Sequence, residues 1–274
     1  MQQFNVFLRK ELRESWRSFK FIWIPLVFIL LGVSDPIVNY FMEDIMNSVG
    51  NMPEGFSMML PEFQPADLLI ASTGQFQTIG LIVLIATFAG SISRERQNGT
   101  ATLLYVRPIS YGALFLSKWV AASLVAVVSA VAGYAGSMYY TAVLYGTVEW
   151  TKFAAMLATY IVWLLFVMAV TIAMSAAFKT SVAATLSIVI VPVGLIIDSL
   201  IGSFWTVTPW KLPNYGLLLL TDSASMPDYW WTFGLTVTLT IGFIVLGIYF
   251  SKRNANTGNS LALLKMMKVL AVVS

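Results

Sequence analysis

The feature that most constrains this chain is a set of six long apolar stretches that hold almost no charged side chains. They lie at residues 21–42, 68–93, 119–148, 153–178, 180–197 and 229–251. An α-helix needs about 20 apolar residues to cross the hydrocarbon core of a bilayer. Only 11% of the 274 residues are charged, against about 25% in a soluble domain. The sequence therefore predicts an all-α integral membrane protein with six transmembrane helices, called spans 1 to 6 below.

The basic residues orient these spans. Fourteen of the 16 Lys and Arg residues fall on one side of the predicted membrane, and only Lys152 and Lys211 fall on the other. Most acidic residues lie on that other side. The excess of basic residues marks the cytoplasmic side, so both termini are predicted to be cytoplasmic. A net charge of +3 then reflects topology, and no nucleic-acid partner is expected.

Three regions follow from this pattern. Residues 1–20 form a cytoplasmic interfacial helix, residues 21–251 a single six-span transmembrane domain, and residues 252–274 a cytoplasmic tail. Within the tail, residues 254–260 are expected to be a polar linker. Residues 261–273 are expected to form a short helix on the inner surface. The N-terminal segment is expected to be an uncleaved anchor.

The interfacial helix is predicted from an apolar stripe at steps of three and four residues, with basic side chains on the remaining surface. A merely basic flank of span 1 is the alternative, and the stripe favours the helix. The residues expected to act there are Phe7, Arg9, Lys10, Leu12, Arg13, Trp16 and Arg17.

The segment between spans 5 and 6, residues 202–228, is aromatic and interrupted by proline. It is too short between prolines to span. We expect broken, re-entrant-like helices in the outer leaflet, and an ordinary aromatic belt is the alternative.

A few polar and small residues lie within spans. Asp35 and Asp198 are placed toward the outer ends of spans 1 and 5, where both can reach external water. A role in transport is the alternative. Gly133 and Gly136 allow a close helix contact, either inside the subunit or at a dimer seam. The candidate substrate path comprises Asp35, Asn39, Gln75 and Gln77. The alternative is that Asn39, Gln75 and Gln77 form hydrogen bonds between helices.

The loop between spans 2 and 3 begins with the charged residues that end span 2 and continues into a predicted short helix. Asn98 or Thr100 can cap that helix, apolar residues give it a face for a partner, and Pro108 ends it. The residues assigned to coupling with a partner, a role that the family resemblance given next implies, are Arg94, Glu95, Arg96, Gly99, Thr100, Leu103, Leu104, Val106, Arg107, Pro108, Ser110 and Lys118.

This loop resembles the permease subunits of type-two ABC exporters, the ABC-2-type membrane protein family. Members show an acidic residue and Gly-Thr after span 2, a short coupling helix, a Pro-x-Ser sequence and a Lys entering span 3. The matching positions are Glu95, Gly99, Thr100, Pro108, Ile109, Ser110 and Lys118. The chain departs from the pattern at Ala101-Thr102, where an acidic residue is common, and at Tyr111, where a basic one is common.

The resemblance implies a permease subunit that exports a peptide, an antibiotic or a lipid-like substrate. It implies two cytoplasmic ABC ATPase subunits and a second permease subunit, in a homodimer or a heterodimer, surrounded by membrane lipid. ATP and Mg would be bound by the ATPase subunits, since this chain has no phosphate-binding Gly-x-x-x-x-Gly-Lys loop and no cofactor of its own. We expect a multi-pass protein of a bacterial plasma membrane.

The residue types narrow the other possibilities. With no His and no Cys, the common metal sites and imidazole relays are absent. No catalytic residue or metal ligand is predicted, and the chain is not expected to be an enzyme by itself. A secondary transporter driven by an ion gradient, a membrane-embedded enzyme, and a non-transporting immunity or sensor protein are the alternatives.

Overall fold

The computed structural model describes residues 2–42, 44–45, 63–98 and 110–273, with side chains described as far as Asn254 apart from Ser203. All regular structure in this part of the chain is helical. Six of the helices are long and apolar enough to cross a membrane. They are Lys20–Tyr40, Pro65–Gln97, Tyr111–Leu144, Trp150–Ala177, Thr180–Ile201 and Met226–Asn254. The predicted six-span helical architecture is confirmed.

Spans 2 and 5 are not continuous α-helices. Span 2 contains Pro65–Gln75, a π turn at Phe76–Gly80, and the helices Leu81–Phe88 and Ser93–Gln97. Span 5 contains Thr180–Ile188, a π turn at Val189–Val193 and the helix Gly194–Ile201. The second π turn includes Pro192, whose ring nitrogen carries no hydrogen to donate. Pro192 therefore lies in a local widening of the helix.

Span 3 begins earlier than the charge pattern predicted. Its helix starts at Tyr111 and includes Lys118, whereas the sequence placed the start at residue 119. Lys118 is only 3% exposed, and two carboxylates neutralise it, as described below. A paired lysine is tolerated where an unpaired one would be excluded, so the charge-based boundary was wrong by about two turns.

Spans 3 and 4 form the centre of the bundle, with 61% of their apolar windows buried, against 17% for spans 5 and 6. An aromatic column crosses this centre. Phe28 of span 1 stacks on Phe76 of span 2 at 5.2 Å between ring centroids, and Phe76 meets Tyr134 of span 3 edge-on at 4.9 Å. Tyr134 meets Tyr160 of span 4 at 5.3 Å. Four spans therefore share one core.

The outer elements are shorter, with one exception. The predicted N-terminal helix is present as Gln2–Arg17. Between spans 5 and 6 lie the 3-10 turns Gly202–Phe204 and Pro209–Lys211 and the helix Leu212–Leu218.

The last helix runs without a break from Met226 to Val273. The linker predicted at residues 254–260 is thus wrong. Those residues include no proline, and adding residues to an existing helix is far easier than starting one.

Candidate functional site

The loop that carries the family resemblance is flanked by described structure on both sides. Seven of the predicted coupling residues lie outside the described residues: Gly99, Thr100, Leu103, Leu104, Val106, Arg107 and Pro108. The structure does describe the loop's two ends. Ser110 caps span 3 by accepting a hydrogen bond from the Ala113 amide at 3.3 Å, and its own amide donates to Gln3 Oε1 at 2.9 Å.

Four charged side chains meet where the N-terminal helix Gln2–Arg17, called the interfacial helix after its predicted position, crosses spans 2 and 3. Lys118 Nζ lies 2.9 Å from Glu11 Oε1 and 3.1 Å from Glu95 Oε1. Lys10 Nζ lies 2.8 Å from Glu95 Oε1 and 3.4 Å from Glu11 Oε1. This charge cluster, Lys10, Glu11, Glu95 and Lys118, joins both ends of the loop 99–109 to the interfacial helix.

The side chains of the cluster differ in their exposure to solvent. The Lys118 side chain is 2% exposed and that of Glu11 12%, whereas that of Lys10 is 46% exposed. Burial alone lowers the pKa of Lys10, but the hydrogen bond and charge of Glu95, with the charge of Glu11, raise it overall. Two positive and two negative groups balance one another. Removing one partner of such a pair leaves a desolvated charge without compensation, at about 3–5 kcal/mol when burial is complete.

Glu14 also approaches this group. One oxygen each from Glu11, Glu14 and Glu95 lie within 4.8 Å of one another, a spacing that could hold a cation. Lys118 and Lys10 already neutralise Glu11 and Glu95. The ion pairs therefore account for the grouping of the carboxylates.

Arg96, predicted to act in coupling, lies at the end of span 4. Its guanidinium donates to the carbonyl oxygens of Ala176 at 2.8 Å and Phe178 at 2.5 Å. Asn254 of the last helix donates to Ala176 and Ala177 at 2.8 and 3.2 Å. A positive charge at the C-terminus of a helix stabilises the unpaired carbonyls there. Spans 2, 4 and 6 thus meet at one point.

A set of hydroxyls that the sequence did not single out holds the exit of span 2. Ser175 Oγ accepts hydrogen bonds from the amides of Ile92 at 3.0 Å and Ser93 at 3.1 Å. Ser93 Oγ lies 2.7 Å from Thr180 Oγ1. These contacts satisfy amides at the turn between Phe88 and Ser93. Serines inside apolar stretches are too common for the sequence to identify them.

The interfacial-helix residues separate into three groups. Phe7 and Leu12 are half-buried, and Trp16 is 65% exposed. Arg9, Arg13 and Arg17 are exposed. Lys10 belongs to the charge cluster. Half-buried apolar residues and exposed arginines thus share this helix, and its position at the membrane surface stays a prediction.

Three of the four residues of the candidate substrate path lie together. Gln75 Nε2 donates to Asp35 Oδ1 at 3.0 Å, and Asn39 Nδ2 donates to the Asp35 carbonyl at 2.9 Å. Asp35 Oδ2 is buried and has no partner among the described residues. Gln77 lies in the π turn of span 2 and is not hydrogen-bonded to the other three in the described part of the chain.

Asp198 does not reach external water, and that expectation was wrong. It is 7% exposed. Its Oδ1 accepts from Trp205 Nε1 at 2.8 Å and Thr208 Oγ1 at 2.9 Å, and Lys211 Nζ lies 3.4 Å from Oδ2. Polar groups of the segment 202–228 fold back over Asp198. Their spacing in sequence gave no sign of this turn.

Comparison with known proteins identifies the chain. A model of the ABC-2 family transporter protein matches residues 6–253. The chain is also similar to the "Uncharacterized transmembrane protein YxlG" of Bacillus subtilis (strain 168), with 30% identity over 180 residues, which are 66% of this chain and 70% of the relative. Membrane proteins of this family are typically permeases that work with ABC ATPases. The resemblance seen in residues 91–119 is thus confirmed, and this multi-pass membrane protein belongs to the ABC-2 transporter family.

Proposed function

We propose that this chain is the permease subunit of an ATP-driven exporter, which moves substrate out of the cytoplasm or the inner leaflet. The observation that carries the proposal is the charge cluster. It ties both ends of the loop 99–109 to the interfacial helix and to a buried lysine of span 3. A movement of that loop would therefore be transmitted directly to the interfacial helix and to span 3.

The mechanism is a two-state equilibrium. Two ATPase subunits, separate chains that bind ATP and Mg, would close on ATP and carry the loop with them. The loop would move Glu95 and Lys118 together, because their ion pair is short and largely dry. ATP can bias such an equilibrium only by its different affinity for the two states.

The second permease subunit would cover the weakly buried spans. Only 28% of the apolar window of span 1 and 17% of those of spans 5 and 6 are buried within this chain. A substrate path between two subunits would run along these faces. Asp35, Asn39 and Gln75 would offer polar groups there to a peptide, an antibiotic or a lipid-like substrate. The membrane would be the plasma membrane, with both termini in the cytoplasm.

The first experiment is purification of the tagged chain in mild detergent, with mass spectrometry of what accompanies it. We expect a stoichiometric ATPase with a phosphate-binding loop. Replacing Leu103 and Leu104 with Asp should remove it while the chain still inserts. Recovery of the chain alone, in good yield and still active in transport, would overturn the proposal.

Variants at Lys118 separate coupling from assembly. Lys118→Met leaves Glu11 and Glu95 without their buried partner, so we expect the ATPase to lose stimulation by the permease. Lys118→Arg keeps the charge and should retain most of the stimulation. The yield of monodisperse protein in detergent controls for misfolding. If both variants stimulated the ATPase as strongly as the unchanged protein, the charge cluster would play no part in coupling.

A further inference from the structure

A groove opens between the interfacial helix and the outer faces of spans 1 and 3. Its volume is about 790 Å³. Apolar side chains form its wall and two arginines form its rim. The residues that the argument uses are Leu8, Arg9, Leu12, Arg13, Trp16 and Leu124.

The apolar wall extends inward from the interfacial helix. Leu124 is 43% exposed and follows Lys118 by six residues in span 3, or about 9 Å along the helix. Lys118 itself contacts Glu11, so the interfacial helix lies at its level. The groove therefore runs from the level of the headgroups into the acyl region of the same leaflet, whose hydrocarbon depth is about 15 Å.

The basic rim is not neutralised by any of the residues that the structure describes. Arg9 and Arg13 are one turn apart and exposed, and within the described residues neither forms an ion pair. Lys10, next to Arg9 on the same helix, contacts both Glu11 and Glu95. Like charges four residues apart on a helix destabilise it slightly, unless an anion lies between them. Paired guanidinium groups match the oxygens of a phosphate.

We propose that this groove is a binding site for one anionic phospholipid. Its phosphate and headgroup would contact Arg9 and Arg13, and an acyl chain would lie along Leu8, Leu12, Trp16 and Leu124. A loose attraction of basic residues to a charged surface needs no groove. This site combines a charged rim with an apolar wall that continues into the leaflet, which matches the charged headgroup and the acyl chain of one lipid.

The test uses a single introduced thiol, because the chain contains no cysteine. Leu124→Cys is labelled with a bimane fluorophore and the protein is reconstituted in vesicles. Quenching is measured with brominated phosphatidylglycerol and with brominated phosphatidylcholine, each at several mole fractions. Each basic residue near a charged surface contributes about 1 kcal/mol. With two arginines at the rim, we expect phosphatidylglycerol to bind about 10- to 30-fold more tightly than phosphatidylcholine.

Two double variants make the result specific. Arg9→Gln with Arg13→Gln should bring the two lipids to nearly equal affinity at Leu124→Cys. Lys179→Gln with Lys252→Gln removes the same charge from exposed sites elsewhere and should leave the preference intact. Equal quenching by the two lipids without the variants would overturn the proposal, because it would mean ordinary surrounding lipid. Weak quenching by both would also overturn it, because protein, such as a second copy of this chain, would then cover the groove.

Discussion

At the scale of the residue, Gly133 shows how closely spans 1 and 3 approach. A Cβ at this position would lie 2.8 Å from the Phe28 carbonyl oxygen and 2.9 Å from the Phe76 ring. On the facing helix, a Cβ at Gly32 would lie 2.3 Å from the Gly133 carbonyl oxygen. Gly136 faces Val33 and Ile29. The close contact expected from these glycines is therefore made inside the subunit.

Replacing Gly133 with Ala should destabilise the protein. The methyl group meets backbone, which cannot rotate aside, and overpacking of this kind costs about 1–3 kcal/mol. We expect the unfolding temperature in detergent to fall by several degrees. Gly234→Ala is the matched control, because a Cβ there has nothing within 4 Å. Similar unfolding temperatures for the two variants would mean that spans 1 and 3 do not approach this closely.

The partners of Lys118 and Asp198 could not be predicted from the sequence. Lys118 was predicted to be functional from the family pattern, but its partner Glu11 is 107 residues away. No local pattern links the two. Asp198 was misread because depth along a helix does not reveal whether the next segment turns back over it.

At the scale of the element, span 5 and the segment 202–228 form one unit. Trp210 Nε1 donates to the Ile190 carbonyl at 2.9 Å, inside the π turn that Pro192 interrupts. A Cβ at Gly194 would lie 2.3 Å from the same nitrogen. The widened helix and the glycine together admit the indole. The predicted helical character of this segment fits the structure, while its re-entrant position in the leaflet stays a prediction.

Asp198 should hold this unit closed. Asp198→Asn keeps an acceptor for Trp205 and Thr208 but removes the charge that Lys211 faces. Hydrogen bonds to charged groups contribute about 1.5–3 kcal/mol. We expect backbone hydrogen exchange in residues 202–218 to rise about tenfold. Asp222→Asn, which alters the exposed pair of Asp222 with Lys152, should not change it. Unaltered exchange in Asp198→Asn would show that the ion pair is dispensable.

At the scale of the whole molecule, the six spans were predictable because bilayer thickness sets the length of an apolar helix. Their packing was not. Spans 3 and 4 are as apolar as spans 5 and 6, yet far more buried. Buried polar pairs join neighbouring spans, such as Ser72 of span 2 with Ser137 of span 3 at 2.8 Å and Thr73 of span 2 with Tyr134 of span 3 at 2.7 Å. Hydropathy averages over such pairs and does not detect them.

The orientation of the whole protein is testable with the cysteine-free chain. Ser225→Cys should react with a membrane-impermeant maleimide on intact cells. Lys252→Cys should react only after the cells are permeabilised. The asymmetry of basic residues gives this expectation. The reverse pattern would place the charge cluster on the outer side and exclude contact with a cytoplasmic ATPase.

The shared cap at the end of span 4 also sets an order of events during synthesis. Arg96 emerges from the ribosome well before Ala176, but Asn254 follows Ala177 by 77 residues. At about 5–20 residues per second, that interval lasts about 4–15 s. For that time the end of span 4 has only one of its two donors, and the last helix completes it. A chain truncated before Asn254 would keep all of span 4 and still leave its end half-capped.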